Sequence, residues 1–332
     1  MFETDGLAVS TRGLHKSYGS RVALSGLDLS VPAGVVYGFL GPNGAGKTTT
    51  MRLLTGLLHP DAGTIELLGR PFRRGDRRHL FAVGALVESP SFYPYLSGRA
   101  NLREFAATGA EVLPGRIEEL LELFGLRDRA SDRVGDYSLG MKQRLGIAAA
   151  LLSDPQLLLL DEPANGLDPA GIVAMREALR HLASLGKTVF VSSHLLAEVQ
   201  VMADVVGIIS AGRVVREAPM RDLLRGEDVV KVRVRPDEVP AATAALTALG
   251  PVDGLRDNEP GWLEVHLPPA RAADANRALV AGGIYASGIE TGSDLEMLFL
   301  RLTGGDAPAI SEGAVVGAAA VDATTDRDGS PR

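Results

Sequence analysis

The chain has 332 residues, 45% of them hydrophobic and 23% charged, the composition of a globular chain with room for one large domain and a smaller one. Its formal net charge of −7 argues against a bulk nucleic-acid binder, which carries a basic balance, and the lack of cysteine excludes disulfides and thiolate metal sites. The opening Met1 to Asp5 has neither the basic nor the apolar region of a signal peptide, and no apolar run reaches the roughly 18 residues needed to span a bilayer. A role at a membrane would need another chain to do the spanning.

Leu7 to His15 and Ala23 to Val31 read as strands, the second because Leu27, Leu29 and Val31 alternate with polar residues. Tyr18 lies in the turn between them. It can stack on a nucleotide base or pack on its own strand, and position alone leaves both readings open. The apolar run Val35 to Leu40 then leads into Gly41, Pro42, Asn43, Gly44, Ala45, Gly46, Lys47, Thr48 and Thr49, followed by a helical pattern to Leu58. Strand, glycine loop and helix is the context that gives G-x-x-x-x-G-K-T its meaning. The loop N–H groups and the positive helix end can hold a phosphate. Lys47 can reach the outer phosphates, and the Thr48 hydroxyl suits Mg²⁺. The motif predicts binding of a nucleoside triphosphate.

Thr64 to Leu68 reads as a short strand, and Arg70 to His79 as a basic loop or helix face. Phe81 to Val87 is a buried-strand pattern ending at Glu88. The loop after it carries Phe92, Tyr93 and Tyr95 among prolines, a composition that suits an interface. Ser97 to Phe124 is mostly helical, with a break near Pro114. Ser138 is a candidate N-cap, and Gly140 just inside that helix suggests close backbone approach to a phosphate or an ordinary helix start.

Leu157 to Leu160 form an unbroken apolar run ending in Asp161 and Glu162, as in a central parallel strand buried on both faces. Ligands of open α/β sheets bind at such strand ends. Asp161 can hold Mg²⁺ there and Glu162 can polarise a water. Asp168 and Pro169 start a helix that Gly186 ends. Thr188 to Ser192 is another buried strand, and His194 after it can reach a phosphate or cap a helix. Val205 to Ser210 and Val214–Val215 flank a tight turn, and a short helix lies near Pro219 to Leu224.

Past Arg225 the pattern changes. Val230, Val232 and Val234 alternate with basic residues, a helix follows from about Val239 to Leu249, and further strands are predicted at Trp262–Leu267 and Ile284–Ile289. A helix is expected at Arg271–Val280, and Ser293 to Glu296 forms a capping box for a last helix to about Leu302. The organisation predicted is an α/β P-loop domain over 1–226 with a helical insertion at about 89–152. A small α+β unit over 227–303 and a disordered tail over 304–332 complete it.

The order of these pieces resembles the nucleotide-binding subunit of an ATP-binding cassette transporter, over about Leu7 to Leu224. The resemblance implies that residues 1–226 form an ATP-binding cassette with an antiparallel β subdomain beside its P-loop core, and ATP and Mg²⁺ as ligands. Tyr18 would stack on adenine, and Gly41 to Thr49 would be the Walker A loop. Ser138, Gly140 and Gln143 would lie in a signature sequence that meets ATP held by a second copy. Asp161 would be the Walker B acid, Glu162 the carboxylate that activates water, Asn165 to Asp168 the D-loop, and His194 the switch histidine. Lys47, Glu162 and His194 would carry hydrolysis. Glu88 stands where the family usually has glutamine, with metal binding as one use, and Asn165 stands where serine is commoner.

The stretch around Glu88 and the appended unit resemble the exporters of bacitracin-like peptides, lantibiotics and drugs. The resemblance implies a separate permease, a second cassette (an identical chain as the first expectation), no nucleic acid, and a place at the cytoplasmic face of the membrane. A soluble cassette with a regulatory or assembly role on ribosomes or DNA is the alternative. Such proteins usually carry two cassettes or a long coiled coil, and this chain has one cassette and no coiled coil. A P-loop kinase would leave Ser138 to Gln143 unexplained.

Overall fold

The computed structural model describes residues 6–73, 78–108, 112–225, 229–254, 261–291 and 295–303. The chain opens with a long hairpin, β1 (Leu7–Tyr18) and β2 (Arg21–Pro32), turned by Gly19 and Ser20. Both strands run further than the apolar alternation predicts, because the pairing continues to Tyr18 opposite Arg21. β3 (Val36–Leu40) leads through the glycine loop into α1 (Lys47–Leu54), and β4 (Ala62–Leu67) and β5 (Arg70–Pro71) complete an antiparallel side sheet of order β2-β1-β4-β5.

β6 (Val83–Leu86) precedes the helical insertion, which is α2 (Gly98–Thr108), α3 (Arg116–Leu123) and α4 (Leu139–Ala150). Then come β7 (Leu157–Asp161), α5 (Pro169–Ser184), β8 (Thr188–Ser193), α6 (Leu196–Met202), β9 (Val205–Ser210), β10 (Arg213–Pro219) and α7 (Met220–Arg225). The central sheet has the order β10-β9-β3-β8-β7-β6, parallel except for the β10 edge.

The four leucines of β7 explain their own lack of alternation. Leu157 and Leu159 enter the core shared with α1 and the side sheet, whereas Leu158 and Leu160 enter the core shared with α5 and the insertion. A strand covered on both faces gains from an apolar residue at every position.

The insertion is fixed to this sheet by charge as well as by packing. Arg116 of α3 donates to the Leu151 carbonyl and, at 3.0 Å, to Asp154 Oδ1. Lys187 reaches the same Oδ1 at 2.7 Å. Within the insertion, the buried Asn101 binds the aromatic loop, accepting from the Tyr93 N–H and donating to the Tyr93 and Ser97 carbonyls. The helical stretch expected from Ser97 to Phe124 with a break near Pro114 is two helices, and Gly115 at φ 83° sets the start of α3.

The C-terminal unit is β11 (Val229–Arg233), α8 (Val239–Thr247), β12 (Val252–Gly254), β13 (Trp262–His266), α9 (Ala272–Ala281) and β14 (Gly288–Thr291). Its sheet order β12-β13-β11-β14 with a βαββαβ chain path is the split-βαβ arrangement. Val230, Val232, Leu263 and Val265 face Leu246 and Leu279 of the two helices. The last strand starts four residues later than its apolar pattern predicts. The Ile284 N–H bonds back to the Leu279 carbonyl, so Ile284 closes the end of α9 instead.

The last helix, α10 (Leu295–Thr303), departs from the expected organisation. It does not join the accessory core. Leu295 and Phe299 are buried with Leu40, Val199, Val206, Met220 and Leu223 of the cassette, and the Leu295 N–H bonds Gln200 Oε1 at 3.3 Å. The apolar stripe that signalled the helix says nothing about which core receives it. Ser293 of the expected capping box, the boundary at 226–228 and the tail from 304 lie outside the described residues. Among the described residues no helix is long and apolar enough to cross a membrane.

Candidate functional site

The carboxyl ends of β3, β7 and β8 converge on one cavity of about 520 Å³. Its floor is the glycine loop. Gly44 and Gly46 have φ of 82° and 112°, where side chains are strained, and a Cβ on Gly46 would meet Leu24 at 2.6 Å. Lys47 is almost fully buried, and its Nζ donates to the Gly41 carbonyl at 2.6 Å. It therefore reaches across the loop it would use to hold phosphate. Thr48 and Thr49 line the cavity beside it, and Tyr18 and Arg21 rise from the hairpin turn as its outer wall.

Glu162 leaves β7 with φ 48°, in the left-handed region that a non-glycine residue occupies at a cost. Its N–H is held by the Ser192 carbonyl and hydroxyl, both at 3.1 Å. That turn brings its carboxylate between two partners. Oε2 lies 2.7 Å from His194 Nδ1, and Oε1 lies 3.5 Å from Lys47 Nζ. The Ser192 hydroxyl donates to Asp161 Oδ1, which fixes the buried Asp161 behind them.

Among the described residues no three acidic, histidine or cysteine side chains cluster as a metal cage. The donor set instead fits a magnesium ion shared with phosphate, since Mg²⁺ takes one or two protein oxygens and completes its shell from phosphate and water. Of the expected ligands, Thr48 lines the cavity and Asp161 is buried behind it.

Not every expected residue faces this cavity. Ser138 caps α4, accepting from the Met141 N–H at 3.2 Å, and neither it nor the exposed Leu139 lines the cavity. Gly140 packs against the loop before α5, where a Cβ would lie 3.0 Å from Leu167. Asp168 caps α5 by accepting from the Gly171 N–H. Gln143, expected beside a phosphate, is almost fully buried within the insertion. Glu88, expected near the metal, is not part of the cavity wall; at φ 66° it turns back to pair with Arg52. Periodicity could not show that the chain bends there.

Arg21, Arg52 and Asn165 line the cavity without having been singled out as ligands. Two of them had a sequence signal. Arg21 is the hairpin partner of Tyr18, and Arg52 lies one helical turn after Thr48.

A second, apolar groove of about 470 Å³ lies behind the end of α1. Leu57, Val87, Pro90, Phe92 and Phe105 line it, with the two phenylalanine rings edge to face at 5.8 Å. Tyr93 and Tyr95 are exposed outside this lining, their rings 6.0 Å apart.

The sequence profile of the family described as ABC transporter matches residues 24–165. The bacitracin transport ATP-binding protein BcrA of Bacillus licheniformis is 39% identical over 299 residues, covering 90% of this chain and 97% of that protein. The daunorubicin resistance ATP-binding protein DrrA3 of Streptomyces coeruleorubidus is 38% identical, with 90% and 96% covered. A lantibiotic transport ATP-binding protein of Streptococcus pyogenes, SrtF, is 43% identical over a shorter 206 residues, 62% of this chain and 88% of its own. Among solved structures, an ATP-binding subunit of an ABC transporter superposes with a TM-score of 0.60 at 30% identity, over 65% of this chain and 91% of its own.

Proposed function

Because this chain belongs to the ABC transporter family, as one of its ATP-hydrolysing subunits, we propose that it drives a separate membrane permease that exports a drug, peptide antibiotic or lipid-like compound. The near-full-length similarity to ATP-binding proteins of bacitracin transport and daunorubicin resistance supports the substrate class. The observation that carries the energy-coupling part is the junction of Lys47, Glu162 and His194 at one end of the glycine loop.

ATP would lie with its base against Tyr18 and its phosphates along residues 43–48. Lys47 then faces the outer phosphates. A water between Glu162 and the γ-phosphate attacks phosphorus in line, the bond to the β-phosphate oxygen breaks, and Glu162 takes the proton of the water. His194 holds the Glu162 carboxylate in place for this. Thr48 and Asp161 would hold Mg²⁺. Ser138 and Gly140, which do not line this chain's own cavity, suit contact with ATP bound by a second copy, which we propose as a head-to-tail dimer.

The groove lined by Leu57, Phe92 and Phe105 is the proposed seat of a permease segment, which fixes the chain to the cytoplasmic face of the membrane. Gentle solubilisation of membranes carrying a tagged chain is expected to yield a multi-spanning protein at near-equal ratio. Phe92→Ala/Phe105→Ala is expected to weaken that capture about tenfold or more while ATP binding persists, since two aromatic contacts that the permease segment would cover are lost. A chain that stays soluble with no membrane partner would refute the permease reading and leave the ATPase reading intact.

A further inference from the structure

Arg52 sits on α1 one turn beyond Thr48, so its side chain shares the face of the helix that meets phosphate. It lines the nucleotide cavity. Its guanidinium is engaged by Glu88, which approaches from the end of β6. Both side chains are partly exposed, so the pair adds little to folding stability. Its effect lies in the field of the cavity. ATP brings about four negative charges, and an uncompensated carboxylate at the magnesium end would oppose them.

The backbone supports a set position for Glu88. It occupies the left-handed region at φ 66°. Its neighbours Val87 and Ser89 both line the apolar groove, so the left-handed residue between them turns a groove-forming loop toward the nucleotide side. Thr55 and Leu57, just past Arg52, line the same groove.

We propose that Arg52 is a positioning residue for ATP binding: it neutralises Glu88 and holds that carboxylate off the phosphates. Arg52 does not serve mainly as a phosphate ligand, and Glu88 does not ligate the metal. This rests on the cavity being the ATP site, and Lys47→Ala tests that separately. Absence of ATP binding by the unaltered chain would remove the site, whereas the variants below test only the pair.

The experiment is calorimetric titration of the full chain with ATP, once with EDTA and once with Mg²⁺. Arg52→Gln leaves Glu88 unpaired and is expected to weaken metal-free ATP binding about tenfold. Arg52→Gln/Glu88→Gln carries the same net charge as the unaltered chain and is expected to recover to within about threefold of it. Glu88→Gln frees the guanidinium and is expected to tighten metal-free binding, with the gain from Mg²⁺ undiminished. A double variant as weak as Arg52→Gln would make Arg52 a direct phosphate ligand and overturn the proposal. A Glu88→Gln chain that loses the gain from Mg²⁺ would make Glu88 a metal ligand and overturn it too. Thermal melts check folding, and should Arg52→Gln not fold, the Glu88→Gln arm decides alone.

Discussion

Glu162 sits where two demands meet. Its backbone is held in a region that costs a non-glycine residue about 1–3 kcal/mol, and the Ser192 hydrogen bonds keep it there. The same turn delivers its carboxylate to His194 and Lys47. Glu162→Gln keeps shape and removes the proton acceptor. Phosphate release is expected to fall at least about 100-fold with ATP still bound, and a fall of less than about tenfold would take Glu162 out of the role of base. A different residue answers to pH. The hydrogen bond from Lys187, ahead of its charge and that of Arg116, holds the Asp154 carboxyl below its ordinary value. An acid with a lowered folded pKa adds stability above its unfolded value and loses it as pH falls through the folded one. Lys187→Met is therefore expected to lose less stability than the unaltered chain on acidification from about pH 5 to about pH 3, as read by denaturant unfolding at each pH. An unchanged slope would show that Lys187 does not hold the Asp154 carboxylate in the folded chain.

At the scale of elements, sequence and structure agree best where one physical cause dominates. The glycine loop was legible because its context, strand then helix, is local. β7 was legible because two-sided burial erases alternation. The accessory topology was half legible: strands and helices declared themselves, but sheet order depends on pairings between distant segments. The pairing of Glu88 with Arg52 and the burial of Gln143 were not legible, because neither a backbone turn nor burial depth has a period. The seat of α10 was hidden for a similar reason. Its stripe fits any apolar face, and the cassette offers Val199, Met220 and Leu223. Phe299 is buried in that patch, so Phe299→Ala is expected to cost about 3–5 kcal/mol. Calorimetric melting should show the loss in the cassette transition, where ATP shifts the midpoint. A loss confined to a separate transition that ATP does not shift would mean that α10 stabilises the accessory unit alone.

At the scale of the whole molecule, Ser138 and Gly140 at the start of α4 stand outside the cavity wall, packed against the loop that follows Asn165, and a dimer that brings one copy's α4 start to the other copy's cavity would bind each ATP from two sides. With Mg²⁺ and ATP, Glu162→Gln is expected to run at twice the chain mass in light scattering, because the closed state cannot be released by hydrolysis. Adding Gly140→Asp places a carboxylate at that exposed helix start. It is expected to abolish the dimer while leaving ATP affinity of the single chain within about threefold, since Gly140 does not line the cavity. A dimer that survives this change would place the contact elsewhere.

On the ribosome, the cassette is complete in sequence before it is complete in structure. Leu40, Val199, Val206 and Leu223 emerge without their cover, and Leu295 and Phe299 follow only after the whole βαββαβ unit has been made. A product cut short within that unit carries an open apolar scar beside the strand that feeds the glycine loop, and chaperones and proteases act on such surfaces. Only a chain that extends through Phe299 closes it. The last helix thereby acts as a seal that marks a finished subunit before it reaches any partner.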